Sequence, residues 1–394
     1  MKRFYELSVE ERRIQLMDEG LCDDSTLRAL AGEVQPETAW LNCMSENVIG
    51  AWRLPLGILR SLKVNGIEHC IPMATEEPSV VAAVNRVSRV FNAAGGVSVV
   101  CDAPSTTAQV MFSMSQEAAQ NAARHIVDCR DQLLELANAQ DPGLTDAGGG
   151  AYDLRVTTRR PDFEDLCPDA HMVVVEIDVH TADAMGANCV NTMAEVMMRQ
   201  FEAMFADAPG FERGMAIVSN DGKGRRVCGS IEIPCEVLEK FTHLDADIFG
   251  KRMTLATAFA TRWPERAVTH NKGILNGIEA AALPFGQDTR AIHAAAWYKA
   301  FESYERGPLA TWQWSENNRT LKGQIEMPLV VGFIGKFRRH PAVNAAFQMA
   351  KIDSYSTLCG VLAAVGLAQN FGALWALVTE GIQQGHMKLH DRKS

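Results

Sequence analysis

The sequence predicts an α+β protein in which a small mixed domain interrupts a larger, helix-rich domain. The chain has 394 residues, long enough for two or three domains. It is 47% hydrophobic and 22% charged, as is usual for a globular protein. Between 104 and 220, strand-like and helix-like segments form a pattern that differs from the sequence on both sides. We therefore expect one domain over 1–103 and 221–375, with 104–220 inserted in it.

The first predicted element pair is a β-hairpin over 56–74, because Asn65 and Gly66 separate two apolar runs. The next stretch, TEEPSVVAAVNRVSRVFNAAGG, has apolar residues at helical spacing, with Pro78 suited to a first turn and two glycines at the end. Glu76 and Glu77 are therefore expected at a strand-to-helix junction. Spacing alone favours a role for them as helix caps.

The inserted segment predicts the order β-α-β-β-α-β, which is the ferredoxin-like arrangement. Its elements are expected at 108–114, 115–138, 153–160, 172–179, 182–205 and 215–220. After it, the sequence predicts a strand over 227–234, then mostly helix, interrupted by a hairpin near 317–323.

The most apolar stretch, 357–378, nearly reaches the length of a membrane span. Gln369 and Asn370 lie at its middle and no basic segment precedes it, so we expect a buried helix. The charged, helical pattern of the first residues is not expected for a signal peptide, and ten cysteines without a CxxC pair are typical of reduced thiols. These features predict a cytoplasmic protein.

Composition also excludes several functions. A formal net charge of -10 argues against binding nucleic acid. The sequence lacks GxGxxG, Walker A, HExxH and GxSxG motifs. His386 and His390 have metal-ligand spacing, but an isolated pair is typical of surface histidines, so no metal site is expected.

Four stretches combine glycine or asparagine with polar residues inside apolar sequence: SENVIG (45–50), ATEEPSVVAA (74–83), DAMGANCVNTMAE (183–195) and HNKGILNG with GQD (270–288). Asp183 suits a helix cap, while the small residues after it could instead open backbone N–H groups to a pyrophosphate. Lys272 is equally compatible with an ordinary surface lysine. The local sequence leaves these alternatives open.

Taken in this order, and together with VGLAQNFGALWALVTEGIQQGHM, these stretches resemble 3-hydroxy-3-methylglutaryl-CoA (HMG-CoA) reductase of the bacterial class II type. The resemblance implies a large domain that binds substrate and CoA and dimerises, and a small domain that binds NAD or NADP. It implies a homodimer or a higher oligomer of dimers, with no nucleic acid or membrane partner. The reaction would interconvert HMG-CoA with mevalonate and CoA through two hydride transfers.

The resemblance also assigns site residues. The catalytic set is Glu77, Lys272, Asp288 and His386. The substrate set is Ser79, Arg266, Asn276 and Gln369. The cofactor set is Asp141, Asp183, Met185, Gly186, Asn188 and Asn220.

Each catalytic role suits its residue type. Lys272 would stabilise the oxyanion within a buried network with Glu77 and Asp288. Glu77 would protonate the aldehyde intermediate, and His386 the departing thiolate. A carboxylate at Asp141 would accept from a ribose 2′-hydroxyl and repel a 2′-phosphate, which favours NAD over NADP.

Two departures from the family pattern keep alternatives open. Lys336 stands where relatives usually have glycine, and 376–394 is expected to be a shortened C-terminal flap. The alternatives are a related reductase that acts on a different acyl-CoA thioester, and a non-catalytic homologue that binds CoA or nucleotide.

Overall fold

The computed structural model describes residues 3–34, 38–161, 170–302, 307–379 and 381. The chain divides into two units, a large unit of Met1–Cys101 with Val227–Ser394 and a small unit of Asp102–Arg226. The helices are α1 (Val9–Asp18), α2 (Asp24–Leu30), α3 (Thr38–Met44), α4 (Val80–Ala93), α5 (Gln116–Asp128), α6 (Arg130–Asn138), α7 (Pro142–Asp146), α8 (Ala187–Phe205), α9 (Cys235–Phe241), α10 (Ala246–Arg262), α11 (Pro264–Ala282), α12 (Thr289–Phe301), α13 (Pro341–Met349) and α14 (Tyr355–Val378). The strands are β1 (Leu56–Val64), β2 (Ile67–Ala74), β3 (Ser98–Cys101), β4 (Ser105–Met114), β5 (Gly150–Arg159), β6 (His171–His180), β7 (Glu212–Val218), β8 (Arg226–Pro234), β9 (Ala310–Ser315) and β10 (Thr320–Pro328).

The predicted hairpin at the start of the large unit is confirmed. Strands β1 and β2 pair antiparallel. Asn65 and Gly66 join them with φ of 50° and 82°, the left-handed backbone that a tight hairpin turn requires. Glu77 follows β2 and precedes α4, as predicted, but α4 begins at Val80, so Pro78 lies before the helix and not in its first turn.

A second sheet of the large unit has the order β3-β8-β10-β9. The predicted hairpin near 317–323 is confirmed, with its turn slightly earlier, between Ser315 and Thr320. Strand β3 was not predicted, because its residues, SVVC, are too few to show a periodicity.

Helix α14 lies in the core of the large unit, as predicted for a buried helix. It is long and apolar enough to cross a membrane, yet 72% of its most apolar window is buried within the protein. Phe371 packs edge-on against Trp312, with ring centroids 4.8 Å apart. The buried Asn370 accepts a hydrogen bond from Trp312 Nε1 at 2.9 Å, so its polar side chain is satisfied inside the core.

The small unit contains a sheet of order β5-β6-β4-β7 in which all pairs are antiparallel. This is the strand order of the ferredoxin-like fold, so the predicted β-α-β-β-α-β unit is confirmed. Helices α5, α6 and α8 supply buried apolar residues to its core, among them Ile126, Leu133 and Phe201.

Two helix boundaries in the small unit differ from the prediction. The expected helix over 115–138 is divided at Cys129, whose ψ of 10° departs from helical geometry. The helix expected from 182 begins at Ala187, because Ala182 and Gly186 both have positive φ, 48° and 89°. The N-cap residue of α8 is therefore Gly186, which rules out the alternative in which Asp183 caps this helix.

Candidate active site

Lys272 lies on the exposed edge of α11, whose opposite face is buried. The neighbouring Asn271 fixes the helix by accepting a hydrogen bond from the Leu309 N–H at 2.9 Å. The Lys272 Nζ atom is 3.5 Å from Glu77 Oε2. The fold thus joins two predicted catalytic residues that are 195 positions apart.

Glu77 lies in the turn between β2 and α4, where its N–H donates to Thr75 Oγ1 at 3.1 Å. The cap position of α4 belongs to Ser79, so the prediction that Glu77 caps this helix is wrong. Ser79 has φ of 80°, a left-handed conformation that costs a non-glycine residue about 1–3 kcal/mol. Such strain is concentrated at functional sites, and here it occurs at a predicted substrate residue.

Asp288 does not join the Lys272–Glu77 pair among the described residues. It caps α12 through the N–H groups of Arg290 and Ala291, and its carboxylate is 2.9 Å from Arg290 Nε. Burial raises the pKa of Asp288, but hydrogen bonds from Arg290 and Ala291 outweigh it and hold the pKa below its usual value. The Lys272 and Glu77 side chains are 59% and 43% exposed. The predicted buried network of three residues is therefore wrong for the single chain, because Arg290 competes for Asp288.

The predicted substrate residues Arg266 and Asn276 also lie on α11, and both are half-buried. Burial lowers the pKa of the Arg266 guanidinium. Within the described ranges, no carboxylate forms an ion pair with Arg266. A partly desolvated guanidinium of this kind is suited to receive a carboxylate from a ligand.

Gln369 lies on α14 where this helix approaches α11 closely. A Cβ at Gly277 would be 2.7 Å from the Gln369 Cβ, so only glycine permits this approach. The Gln369 Oε1 atom is buried and has no hydrogen-bond partner in the part of the chain that the structure describes. An unsatisfied buried acceptor is unusual in a core and is expected where a ligand completes the site.

The GQD motif is connected to the segment that carries Lys336. The buried Gln287 accepts a hydrogen bond from the Gly332 N–H at 2.9 Å. A Cβ at Gly286 would be 3.1 Å from the Phe337 Cβ. Lys336 is exposed and directly precedes Phe337, which makes this contact.

In the small unit, four of the predicted cofactor residues lie at or just before the start of α8: Asp183, Met185, Gly186 and Asn188. Gly186 lies against Thr181, where an added Cβ would be 2.3 Å from the Thr181 Cγ2. Asp141 caps α7 by accepting from the Leu144 N–H at 3.0 Å. Burial, and after it the charge of Asp141, raise the pKa of the Cys189 thiol in the first turn of α8.

Arg225 is a buried residue that the sequence analysis missed. Its side chain is 1% exposed and donates to Thr106 Oγ1, Thr181 Oγ1 and the carbonyls of Ala184 and Met185. Nothing in the sequence GRR distinguishes this arginine from Arg226, which is half exposed and pairs with Asp102. The structure therefore identifies Arg225 as a further residue that contacts the loop carrying the predicted cofactor residues.

The remaining predicted catalytic residue, His386, lies outside the described residues, as does most of the predicted flap. Among the residues that are described, no group of three His, Cys, Asp or Glu side chains is arranged to hold a metal ion.

Comparison with known proteins identifies the family. The family profile described as "Hydroxymethylglutaryl-coenzyme A reductase" matches residues 8–391. This chain belongs to the hydroxymethylglutaryl-coenzyme A reductase family. The resemblance that the sequence motifs indicated is thereby confirmed, and with it the prediction of an oxidoreductase.

Relatives of this HMG-CoA reductase match along nearly the whole chain. The 3-hydroxy-3-methylglutaryl-coenzyme A reductase of Archaeoglobus fulgidus is 36% identical, over 99% of this chain and 85% of its own. A probable reductase of the same name from Borreliella burgdorferi is 33% identical, over 89% of this chain and 77% of its own.

Solved structures confirm the fold class. The class II reductase of Streptococcus pneumoniae, bound to NADPH in open conformations, matches with a TM-score of 0.87 and 32% identity. It covers 95% of this chain and 99% of its own. A second structure of a Streptococcus pneumoniae reductase matches with a TM-score of 0.87 and 34% identity, over 99% of this chain and 90% of its own. The predicted α+β, class II assignment is therefore correct.

Proposed function

We propose that this reductase interconverts HMG-CoA with mevalonate and free CoA, using Lys272 and Glu77 as the centre of its catalytic site. The observation that carries this proposal is the 3.5 Å contact between these two side chains, which come from distant parts of the chain. A reacting carbonyl placed beside the pair would meet the Lys272 cation and the Glu77 carboxyl group together.

Substrate orientation would come from α11 and α14. Arg266 is free of carboxylate partners among the described residues, and its planar fork would bind the terminal carboxylate of the hydroxymethylglutaryl group. The unsatisfied Gln369 Oε1 would accept a hydrogen bond from a substrate hydroxyl. Asn276, one turn after Lys272 on α11, and the strained Ser79 would complete this set.

The chemistry requires charge stabilisation followed by proton transfer. When bound, the nicotinamide cofactor supplies a hydride in each of two successive reductions. Lys272 would stabilise the negative charge that develops on the carbonyl oxygen. Glu77 would deliver the proton that converts the aldehyde into the alcohol, and His386 the proton for the CoA thiolate. Asp288, which caps α12 beside Arg290, is the remaining residue of the proposed catalytic set.

The small unit fits a dinucleotide at the start of α8. Gly186 leaves no space for a Cβ, and the helix N-terminus with its N–H groups suits a pyrophosphate. Asp183, Met185, Gly186 and Asn188 would hold the cofactor, with Asn220 beyond the end of β7. We propose NAD as the preferred cofactor, because the Asp141 carboxylate, held in place as the cap of α7, would accept from a ribose 2′-hydroxyl and oppose a 2′-phosphate.

We also propose that the working enzyme is a homodimer or an oligomer of dimers. The ENVIG segment and the residues after it expose large apolar side chains, with Trp52 92% exposed and Ile49 fully exposed. Exposed apolar and aromatic residues of this kind are typical of protein interfaces. A second copy would also exclude water from the half-exposed Lys272 and Glu77, which their proposed chemistry requires.

The proposed roles of the domains follow from these sites. The large unit would bind substrate and CoA, and the small unit the nicotinamide cofactor. A cytoplasmic location is supported by the described cysteines, which are all free thiols.

The test is a turnover assay with HMG-CoA and NADH that follows NADH oxidation and CoA thiol release in the same sample. We expect two NADH oxidised for each thiol released, because reduction of a thioester to an alcohol takes four electrons. Absence of turnover with HMG-CoA, alongside turnover of another acyl-CoA, would show that the enzyme has a different substrate. Absence of turnover with every acyl-CoA would support a binding function only.

A further inference from the structure

Arg225 is a buried cation beneath the loop that leads into α8. Arg225 ends the turn 219–225, which follows β7. The turn is held against β4 by the Ser105 N–H, which donates to the Gly224 carbonyl at 2.9 Å. A Cβ at Gly224 would be 2.7 Å from Ser105, so the turn lies in close contact with the strand. The position of the guanidinium is thus fixed by the sheet of the small unit.

The guanidinium connects this sheet to the loop. Its Nη2 donates to Thr106 Oγ1 on β4 at 2.9 Å and to Thr181 Oγ1 at 2.7 Å. The same nitrogen donates to the carbonyls of Ala184 at 3.2 Å and Met185 at 2.5 Å. Four acceptors therefore converge on one charged donor group that is almost fully buried.

Holding these two carbonyls inward determines where the loop N–H groups point. The peptide bonds are trans, so each N–H points away from the C=O of the same peptide unit. With the carbonyls of Ala184 and Met185 directed at Arg225, the N–H groups of Met185 and Gly186 are directed to the opposite side of the loop. That side is where the first turn of α8 would receive an anion.

The loop needs such an external constraint because its backbone is strained. Ala182 has φ of 48°, which costs a residue with a Cβ about 1–3 kcal/mol. Gly186, with φ of 89°, lies in contact with Thr181, which also accepts from Arg225. Arg225 thus holds both ends of the segment in place.

We propose that Arg225 is a positioning residue for dinucleotide binding, which fixes the loop 181–186 so that its N–H groups and the start of α8 face the cofactor phosphates. This inference rests on the proposed cofactor site. The buried positive charge beneath the loop also adds to the favourable potential of the helix N-terminus for an anion. Arg225 acts through the loop and does not touch the reacting atoms.

Arg225→Lys separates geometry from charge, because lysine keeps the cation but cannot reproduce the fork. We expect the KM for NADH to rise about tenfold or more, as for loss of charged hydrogen bonds. The KM for HMG-CoA and kcat at saturating NADH should stay within about twofold, because the large unit is unchanged. Arg226→Lys, at the exposed neighbouring arginine, is the matched control and should leave all three constants unchanged.

Two further variants keep the test decisive. Thr106→Val is nearly isosteric and removes one acceptor of Arg225 from β4, so the KM for NADH should rise about threefold. If circular dichroism shows that Arg225→Lys does not fold, Thr106→Val provides the test in its place. Normal NADH affinity in Thr106→Val and in folded Arg225→Lys would overturn the proposal.

Asn188→Ala distinguishes this failure from failure of the proposed cofactor site. If Asn188→Ala weakens NADH binding and Arg225→Lys does not, the site is correct and the positioning role is wrong. If neither variant changes NADH binding, the cofactor does not bind at the start of α8, and both proposals fall.

Discussion

Lys272 on α11 lies 3.5 Å from Glu77, in the turn between β2 and α4, and the pair is half exposed on the single chain. An exposed ion pair contributes only about 0–1 kcal/mol to stability. The stability of the fold therefore gains little from this contact. The proposed catalytic roles, oxyanion stabilisation by Lys272 and proton transfer by Glu77, explain why the two side chains lie together. Both side chains can be changed with little expected effect on the fold.

The Arg266→Lys variant tests substrate recognition. Lysine retains the charge but loses the planar pair of donors, so the KM for HMG-CoA should rise about tenfold or more while the KM for NADH is unchanged. Steady-state kinetics measures both constants. Arg262→Lys, at an exposed arginine of α10, is the control. An HMG-CoA KM that is equal in the two variants would remove Arg266 from the substrate site.

The Asp141→Ser variant tests cofactor choice. Serine can still cap α7, so the change removes the charge while it preserves the helix start. The ratio of kcat/KM for NADH to that for NADPH should fall about tenfold, because repulsion of the 2′-phosphate is lost. Asp146→Ser removes an equal charge from the exposed end of α7. An equal shift in that control would mean that only net charge matters.

Burial of His270 predicts a pH-dependent stability. Burial lowers the pKa of His270 to about 4, against an ordinary value of 6.5. Between these values the unfolded chain binds a proton that the folded chain does not, so stability falls as the pH falls from 6.5 to about 4. The contribution of this histidine to that loss is about 3 kcal/mol.

The measurement compares wild type with His270→Gln by denaturant unfolding at pH 7 and pH 4. Tryptophan fluorescence reports on the large unit, because all seven tryptophans lie outside 102–226. The His270→Gln variant cannot take up this proton. The free energy of unfolding of wild type should therefore exceed that of the variant by less at pH 4 than at pH 7. A deficit that is the same at both pH values would show that His270 does not titrate as its burial requires.

The Trp52→Asp variant tests the proposed dimer. A carboxylate in the centre of an apolar interface is costly to bury, so the variant should have the mass of a monomer in light scattering and little activity. Val127→Asp, at an exposed apolar residue of α5, is the control and should keep the wild-type mass. A wild-type protein that is monomeric while fully active would contradict the proposal.

The parts of the fold that the sequence predicted are those encoded by local patterns. The Asn65-Gly66 hairpin and the alternating strands of the small unit follow from residues close together in the chain. The start of α8 could not be placed, because the positive φ of Ala182 and Gly186 is imposed by packing against Thr181 and by Arg225.

Prediction of the site depended on the family resemblance more than on local pattern. No local pattern connects Glu77 to Lys272. Nothing in the sequence around Arg290 indicates that it pairs with Asp288. Arg225 and Arg226 are identical neighbours with opposite burial, a difference that only the tertiary structure determines.

The most direct test of the central claim compares Lys272→Ala with Lys251→Ala in the HMG-CoA and NADH assay. Both lysines are 59% exposed and pair with a glutamate, Lys251 with Glu316 at 2.8 Å. Removal of an oxyanion partner should lower kcat by about a hundredfold or more in Lys272→Ala, whereas Lys251→Ala should retain wild-type kcat. If Lys272→Ala kept the activity of Lys251→Ala, the catalytic role assigned to Lys272 would be wrong.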